Sequence, residues 1–103
     1  MTDERVWGLL GLCARSGKLV SGESACEQAL RAGGAALVLI DAGASPNTRK
    51  KFSDACAYRQ VPLCPLDADR LGQAIGKPGR MTVAVGQSSL AKQLTVLLLP
   101  DQS

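Results

Sequence analysis

Apolar and polar positions divide this chain into nine alternating elements. Val6, Leu9, Leu10 and Cys13 recur at helical spacing behind Thr2, read as an N-cap, and behind Asp3 and Glu4, which suit the positive end of a helix dipole. This spacing predicts a helix to about Arg15, stopped by Gly17, with Gly8 and Gly11 as points of close approach to a neighbouring element. A short apolar element, Lys18 to Ser21, turns at Gly22 into a second helix with Cys26, Ala29 and Leu30 inward, ended by Gly33 and Gly34. Ala35 to Ile40 is apolar without alternation, the pattern of a central strand covered on both faces.

Ser45 as N-cap and Pro46 at the first helical position open a third helix with Phe52, Ala55 and Cys56 inward. Val61 to Leu66 carries two prolines, which confines it to a short or edge strand. Asp67 is expected to cap a fourth helix with Leu71, Ala74 and Ile75 on its core face, closed by Gly76. Lys77 to Arg80 reads as a type II turn, with Pro78 and Gly79 at the positions that turn requires. Met81, Val83 and Val85 then alternate with Thr82 and Ala84 as a strand. A last helix from about Ser88 buries Leu90, Leu94, Leu97 and Leu98, and Pro100 ends it.

This order implies an α/β fold in which helices cover both sides of one largely parallel or mixed four-stranded sheet, within a single domain over residues 1–103. Right-handed crossovers bring the loops that follow strands to one edge, where ligands usually bind. Gly22, the segment 45–51 and the turn 76–80 are expected to be neighbours there.

Composition narrows the chemistry. Trp7, Phe52 and Tyr58 are the whole aromatic content, so the core is aliphatic and a surface built from aromatic stacking platforms is disfavoured. Twelve Lys and Arg against nine Asp and Glu give +3, too mild to establish a polyanion partner. Arg49, Lys50 and Lys51 are nonetheless consecutive, and Lys77 and Arg80 bracket the turn; each cluster reads equally as a solvated face. Four cysteines without a C-x-x-C pair, no histidine, no signal peptide and no apolar run long enough to span a bilayer read as reduced, buried thiols in a cytoplasmic protein, with no metal site and no membrane contact.

At Ser21 and Gly22, free helix N–H groups, the dipole and a missing side chain converge on one point able to receive an anion or a base edge. Simple helix capping is the competing reading. No nucleophile signature or phosphate-binding loop is present. Asp41 at a strand end is the best catalytic carboxylate, though such residues more often hold loops, and Cys64 between two prolines is better explained by packing. No catalytic residue and no cofactor is therefore assigned.

The segments SGKLVSGE, the S-x-N-T-x-K-K pattern at Ser45 to Lys51 and LGQAIGK at Leu71 to Lys77 resemble the kink-turn RNA-binding ribosomal proteins typified by L7Ae and L30e, in particular their bacterial YlxQ-type branch. The similarity runs over nearly the whole chain. It implies a three-layer α/β/α sandwich that binds structured RNA and performs no chemistry on it. The family grips a sharply bent duplex with tandem sheared G·A pairs, using the start of helix two, the loop before helix three and the loop after helix four. Its signature at the corner is Gly, any residue, Asn, Glu, two residues, Lys; from Gly22 those three polar positions hold Ser24, Ala25 and Gln28. Ala25 cannot accept from a guanine edge, and Glu23 is the nearest carboxylate able to substitute.

The resemblance thus implies a non-catalytic protein of the ribosome or its assembly, monomeric apart from ribosomal neighbours, with ribosomal RNA as partner. Gly22, Glu23, Ser24 and Gln28 would meet base edges or sugar, while Lys18, Asn47, Thr48, Lys51 and Lys77 would position phosphates. Ile75 and Gly76 would pack under an extruded base. The alternatives are a protein-interaction module that has kept the fold and lost RNA recognition, and a binder of small phosphate ligands at the corner.

Overall fold

The computed structural model describes residues 2–100. Along them run α1 (Glu4–Arg15), β1 (Leu19–Ser21), α2 (Glu23–Arg31), β2 (Ala35–Asp41), α3 (Pro46–Arg59), β3 (Leu63–Leu66), α4 (Leu71–Ala74), β4 (Thr82–Gly86) and α5 (Ser89–Leu98). The strands form one sheet in the order β1-β4-β2-β3, with β4 antiparallel to both neighbours and β2 parallel to β3. The sheet is therefore mixed. Because β1, β2 and β3 share a direction and β4 opposes them, three strand ends and the start of β4 meet at one edge. Backbone bonds tie that edge together: Gly22 N–H donates to Thr82 O at 3.0 Å, Asp41 N–H to Met81 O at 2.9 Å and Ala42 N–H to Leu66 O at 2.8 Å.

Strand alternation sorts the core into two layers. On one face Leu37, Leu39, Val83 and Val85 pack with Val6, Leu10 and Cys13 of α1, Leu71 of α4 and Leu94 of α5. On the other, Val38 and Ala84 pack with Cys26 and Leu30 of α2 and Phe52 and Cys56 of α3. This is the three-layer α/β/α sandwich. A register shift between Ala35 and Leu37 adds one residue to β2, so Ala35 belongs to the second layer while Ala36 and Leu37 both join the first.

Three local expectations are corrected. Asp3, not Thr2, caps α1: its carboxylate accepts from Arg5 N–H, and Thr2 N–H instead donates to Asp67. Asp67 does not cap α4, which starts four residues later after Arg70, because Asp69 takes a left-handed φ of 64° and ends any helix begun at Asp67. Of the two glycines in α1, Gly11 faces a neighbour, the Ala74 carbonyl 3.4 Å from where its Cβ would stand, whereas Gly8 has nothing within 4 Å. β4, covered by a helical layer on each side, is buried on both faces, Thr82 as fully as Val83.

The strand margins are blunt. β1 has three residues, and β3 carries the exposed Pro65, which has no N–H to offer another strand.

Candidate nucleic-acid interface

The start of α2 is built on one backbone conformation. Gly22 is its N-cap, with φ 94° and ψ 156°, a region that side-chain-bearing residues essentially do not occupy, and no side chain satisfies the first-turn N–H groups. The N–H groups of Glu23, Ser24 and Ala25 have no hydrogen-bond acceptor among the described residues. Arg80 crosses the corner: its Nη1 donates to Ser21 O at 2.8 Å and to Ser21 Oγ at 3.0 Å. A Cβ on Gly22 would stand 2.9 Å from that same nitrogen, so the absent side chain is what lets the guanidinium pass. With Nη1 occupied, Nε and Nη2 of Arg80 make no hydrogen bond to described residues, and the fork that suits a phosphate faces solvent.

Arg80 and Lys77 are delivered by a real turn. Arg80 N–H donates to Lys77 O at 3.2 Å, and Gly79 has φ 91° as a type II turn requires. The turn leans on buried Gly72, where a Cβ would meet Lys77 O at 2.7 Å, Gly79 N at 3.0 Å and Arg80 N at 3.1 Å. Between this turn and α2 lies a recess of about 340 Å³ lined by Ala14, Leu19, Val20, Ser21, Ala25, Ile75 and Lys77. Ala25 thus opens onto the cavity that a longer side chain would fill. Ile75 is 7% exposed and contributes to the recess floor, while Gly76 is exposed with φ 76°.

The start of α3 completes the edge. Ser45 Oγ accepts from Thr48 N–H at 3.2 Å and donates to Thr48 Oγ1 at 3.0 Å, leaving Asn47 exposed on the first turn. Lys51 reaches across to α2, donating to Glu23 at 3.1 Å and Glu27 at 3.0 Å. Its pKa is raised by the bond to Glu27 first and Glu23 second. One cation between two carboxylates leaves a net negative cluster beside the α2 start, and the carboxylate of Glu23 is already engaged. Asp41 Oδ1 accepts from Gly43 N–H at 2.7 Å and Asp69 N–H at 3.1 Å, tying the loop after β2 to the loop after β3. Burial pushes the thiols of the four free cysteines up, Cys56 to about 11.

Of the residues singled out in the sequence, Gly22, Glu23, Ser24, Asn47, Thr48, Lys51, Ile75, Gly76 and Lys77 lie along one edge. Gln28 is exposed one turn beyond Ser24. Lys18 is not among them: it precedes β1, and its carbonyl accepts from Gly86 N–H at the opposite edge of the sheet. Arg80 was visible only as one of two cations flanking a turn; its bond to Ser21 spans 59 positions and had no sequence signal. The double pairing of Lys51 was equally silent, since i,i+4 logic operates within one helix.

A family model described as the ribosomal protein L7Ae/L30e/S12e/Gadd45 family matches residues 4–95. The chain is 43% identical over 91 residues to the RNA-binding protein YlxQ of Bacillus subtilis (strain 168), covering 87% of this chain and 91% of that protein. It is 33% identical over 96 residues to the RNA-binding protein YlxQ of Enterococcus faecium, covering 92% of each. A solved protein of unknown function from Bacillus halodurans C superposes with a TM-score of 0.87 at 32% identity, covering 92% of this chain and 97% of that one. The Giardia lamblia 15.5kD RNA binding protein shares the fold at a TM-score of 0.76 and 20% identity, covering 91% and 88%.

Proposed function

Because the chain belongs to the ribosomal protein L7Ae/L30e/S12e/Gadd45 family, we propose that it binds structured, kink-turn-like RNA as a single-domain, monomeric, cytoplasmic protein of the ribosome or its assembly, and that it is not an enzyme. The observation that carries this reading is the meeting of the uncapped α2 start, the Arg80 fork and Lys77 around one recess. Uncapped N–H groups and two cations can engage phosphates on both sides of a bent backbone, while the recess beside Ala25 accepts an edge or an extruded base. Ser24 and Gln28 supply neutral hydrogen bonds in place of a charged reader. Recognition therefore leans toward shape and phosphate, with Ala25 removing the carboxylate that would select guanine.

The test is a titration of a kink-turn RNA against the same duplex without its G·A pairs, at 50 and 200 mM salt. Preference for the kink-turn, with a salt slope of about −0.7 to −0.9 per phosphate contact, is the expected result. Equal binding to both removes the selectivity, and binding to neither sinks the RNA reading.

The engagement of Lys51 with Glu23 and Glu27 favours a second reading, a protein-interaction module on the same fold, because it removes one cation from the phosphate set. Charge reversal at Lys51 and Lys77 separates the two. Loss of RNA binding supports the first, and unchanged RNA binding with a changed set of co-purifying proteins supports the second.

A further inference from the structure

The sheet edge opposite Gly22 is the more strongly basic of the two. Four segments reach it: 15–19, 31–36, 58–63 and 86–92. They carry Arg15, Lys18, Arg31, Arg59 and Lys92 and no Asp or Glu. None of these five cations forms an ion pair among the described residues. At the Gly22 edge, by contrast, Lys51 is neutralised twice over and Asp67 and Asp69 stand in the same loop set.

Two of the five cations face a common space. Arg31, at the end of α2, and Arg59, at the end of α3, line a recess of about 470 Å³ together with Gln60 and Gln87. Gln60 holds its backbone in the left-handed region, φ 58°, to close α3 there. The guanidinium of Arg59 stands over the Tyr58 ring, 5.3 Å from its centre, and Tyr58 is 79% exposed. An exposed ring costs the fold an apolar surface, and nothing in the core uses it. Ring, guanidinium plane, two amides and a second guanidinium are the components that hold a single nucleic-acid strand: a face for a base, donors and acceptors for its edge, and cations for its phosphates.

We infer that this edge is a second RNA-binding surface, taking an unpaired strand whose base stacks on Tyr58 and whose phosphates meet Arg31 and Arg59, while the Gly22 edge holds the folded element. The inference rests on the RNA reading above. It makes the protein a clamp between two segments of RNA, separated by the length of the sheet. Helix ends explain one Arg each through the dipole, but not the exposed tyrosine or the absence of carboxylates from all four segments.

Two RNAs separate this inference from the reading it rests on: a bare kink-turn, and an unstructured oligonucleotide containing photoreactive 4-thiouridine. The wild-type protein is compared with Arg31→Gln/Arg59→Gln, which removes charge without placing a carboxylate at a helix end, and with Tyr58→Ala. The expected result is a crosslink on the peptide containing Tyr58, at least a five-fold weaker hold on the oligonucleotide in Tyr58→Ala, and unchanged kink-turn binding in both variants. For Arg31→Gln/Arg59→Gln, two lost contacts at about 0.7 each predict that raising salt from 50 to 200 mM costs about seven-fold less affinity than in the wild type. Crosslinking at Tyr58 without kink-turn binding keeps the inference and removes the folded-RNA reading. Kink-turn binding with no crosslink here, or an oligonucleotide affinity indifferent to all three substitutions, overturns the inference and leaves the edge to an acidic protein segment. Thermal melts of each variant confirm folding.

Discussion

Gly72 sets the position of the turn that carries Lys77 and Arg80, and Gly72→Ala tests this directly. The added Cβ would stand 2.7 Å from Lys77 O, closer than such atoms are ever found, with Gly79 N and Arg80 N at 3.0 and 3.1 Å. All three are backbone atoms, so no side chain can swing aside. Retreat is opposed by the same turn, because Lys77 N–H donates to Gly72 O at 2.8 Å. Overpacking of this kind costs about 1–3 kcal/mol, against which alanine returns about 0.5–1 kcal/mol of helix propensity.

Gly8→Ala isolates the second term, since it lies within α1 with nothing within 4 Å; that variant should be more stable than wild type by about 0.5–1 kcal/mol. The separation between the two variants is then the steric cost alone. At about 4–8 °C per kcal/mol it is roughly 5–20 °C in melting temperature, read by calorimetry or circular dichroism. Well below its own melting temperature, Gly72→Ala should also lose RNA affinity that Gly8→Ala keeps. Equal melting temperatures, or a destabilised Gly72→Ala with wild-type RNA affinity, would refute the claim that this glycine places the turn.

Other outcomes follow from the same surface and core. Glu23→Gln releases Lys51 from one of its two partners, so RNA affinity should rise and the salt slope steepen by up to about 0.7–0.9, whereas Lys51→Met should weaken binding; identical slopes for both variants contradict the electrostatic account. Asp3 has its carboxyl lowered to about 2 by its bonds to Arg5, so this contribution is present above the ordinary value of 3.8 and is lost as pH falls toward 2. Denaturant melts of wild type and Asp3→Asn should accordingly differ at pH 5 and converge at pH 2; being fully exposed, the pair contributes only a small difference. The thiol of Cys56, held near 11, and its three buried counterparts should resist a thiol-specific disulfide reagent at pH 8 in the folded protein and react together on unfolding; rapid native labelling would contradict that burial.

What was legible in the sequence was local. Gly22, Ser45 with Pro46, and the Pro78-Gly79 pair announce their own backbone geometry, and all three adopt it. β2 was readable as a covered strand because its apolar run is unbroken. β4 was not, because Thr82 and Ala84 imitate a solvated face; they are buried beneath α2 and α3, a fact set by a strand order that no short window contains. α4 shrank for a related reason: Asp69 adopts a left-handed conformation held by a bond to Asp41, 28 positions away. At the candidate site Lys18 falls at the opposite edge while the other positions lie near one another, and the partners did not follow from spacing. Arg80 found Ser21, and Lys51 found two glutamates.

The placement of β4 between β1 and β2 also governs how the chain can be assembled as it is synthesised. β1 pairs only with β4, Leu19 to Ser21 against Val83 to Val85, so the first strand made waits for the last. β2 and β3 can pair early, but until residue 86 has emerged one side of β2 lies open, with Leu37 to Ile40 exposing both an apolar surface and unpaired backbone. A nascent chain halted before that point displays a sticky strand that the finished protein never shows. Chains truncated before residue 82 should therefore aggregate on release, whereas the full chain should not.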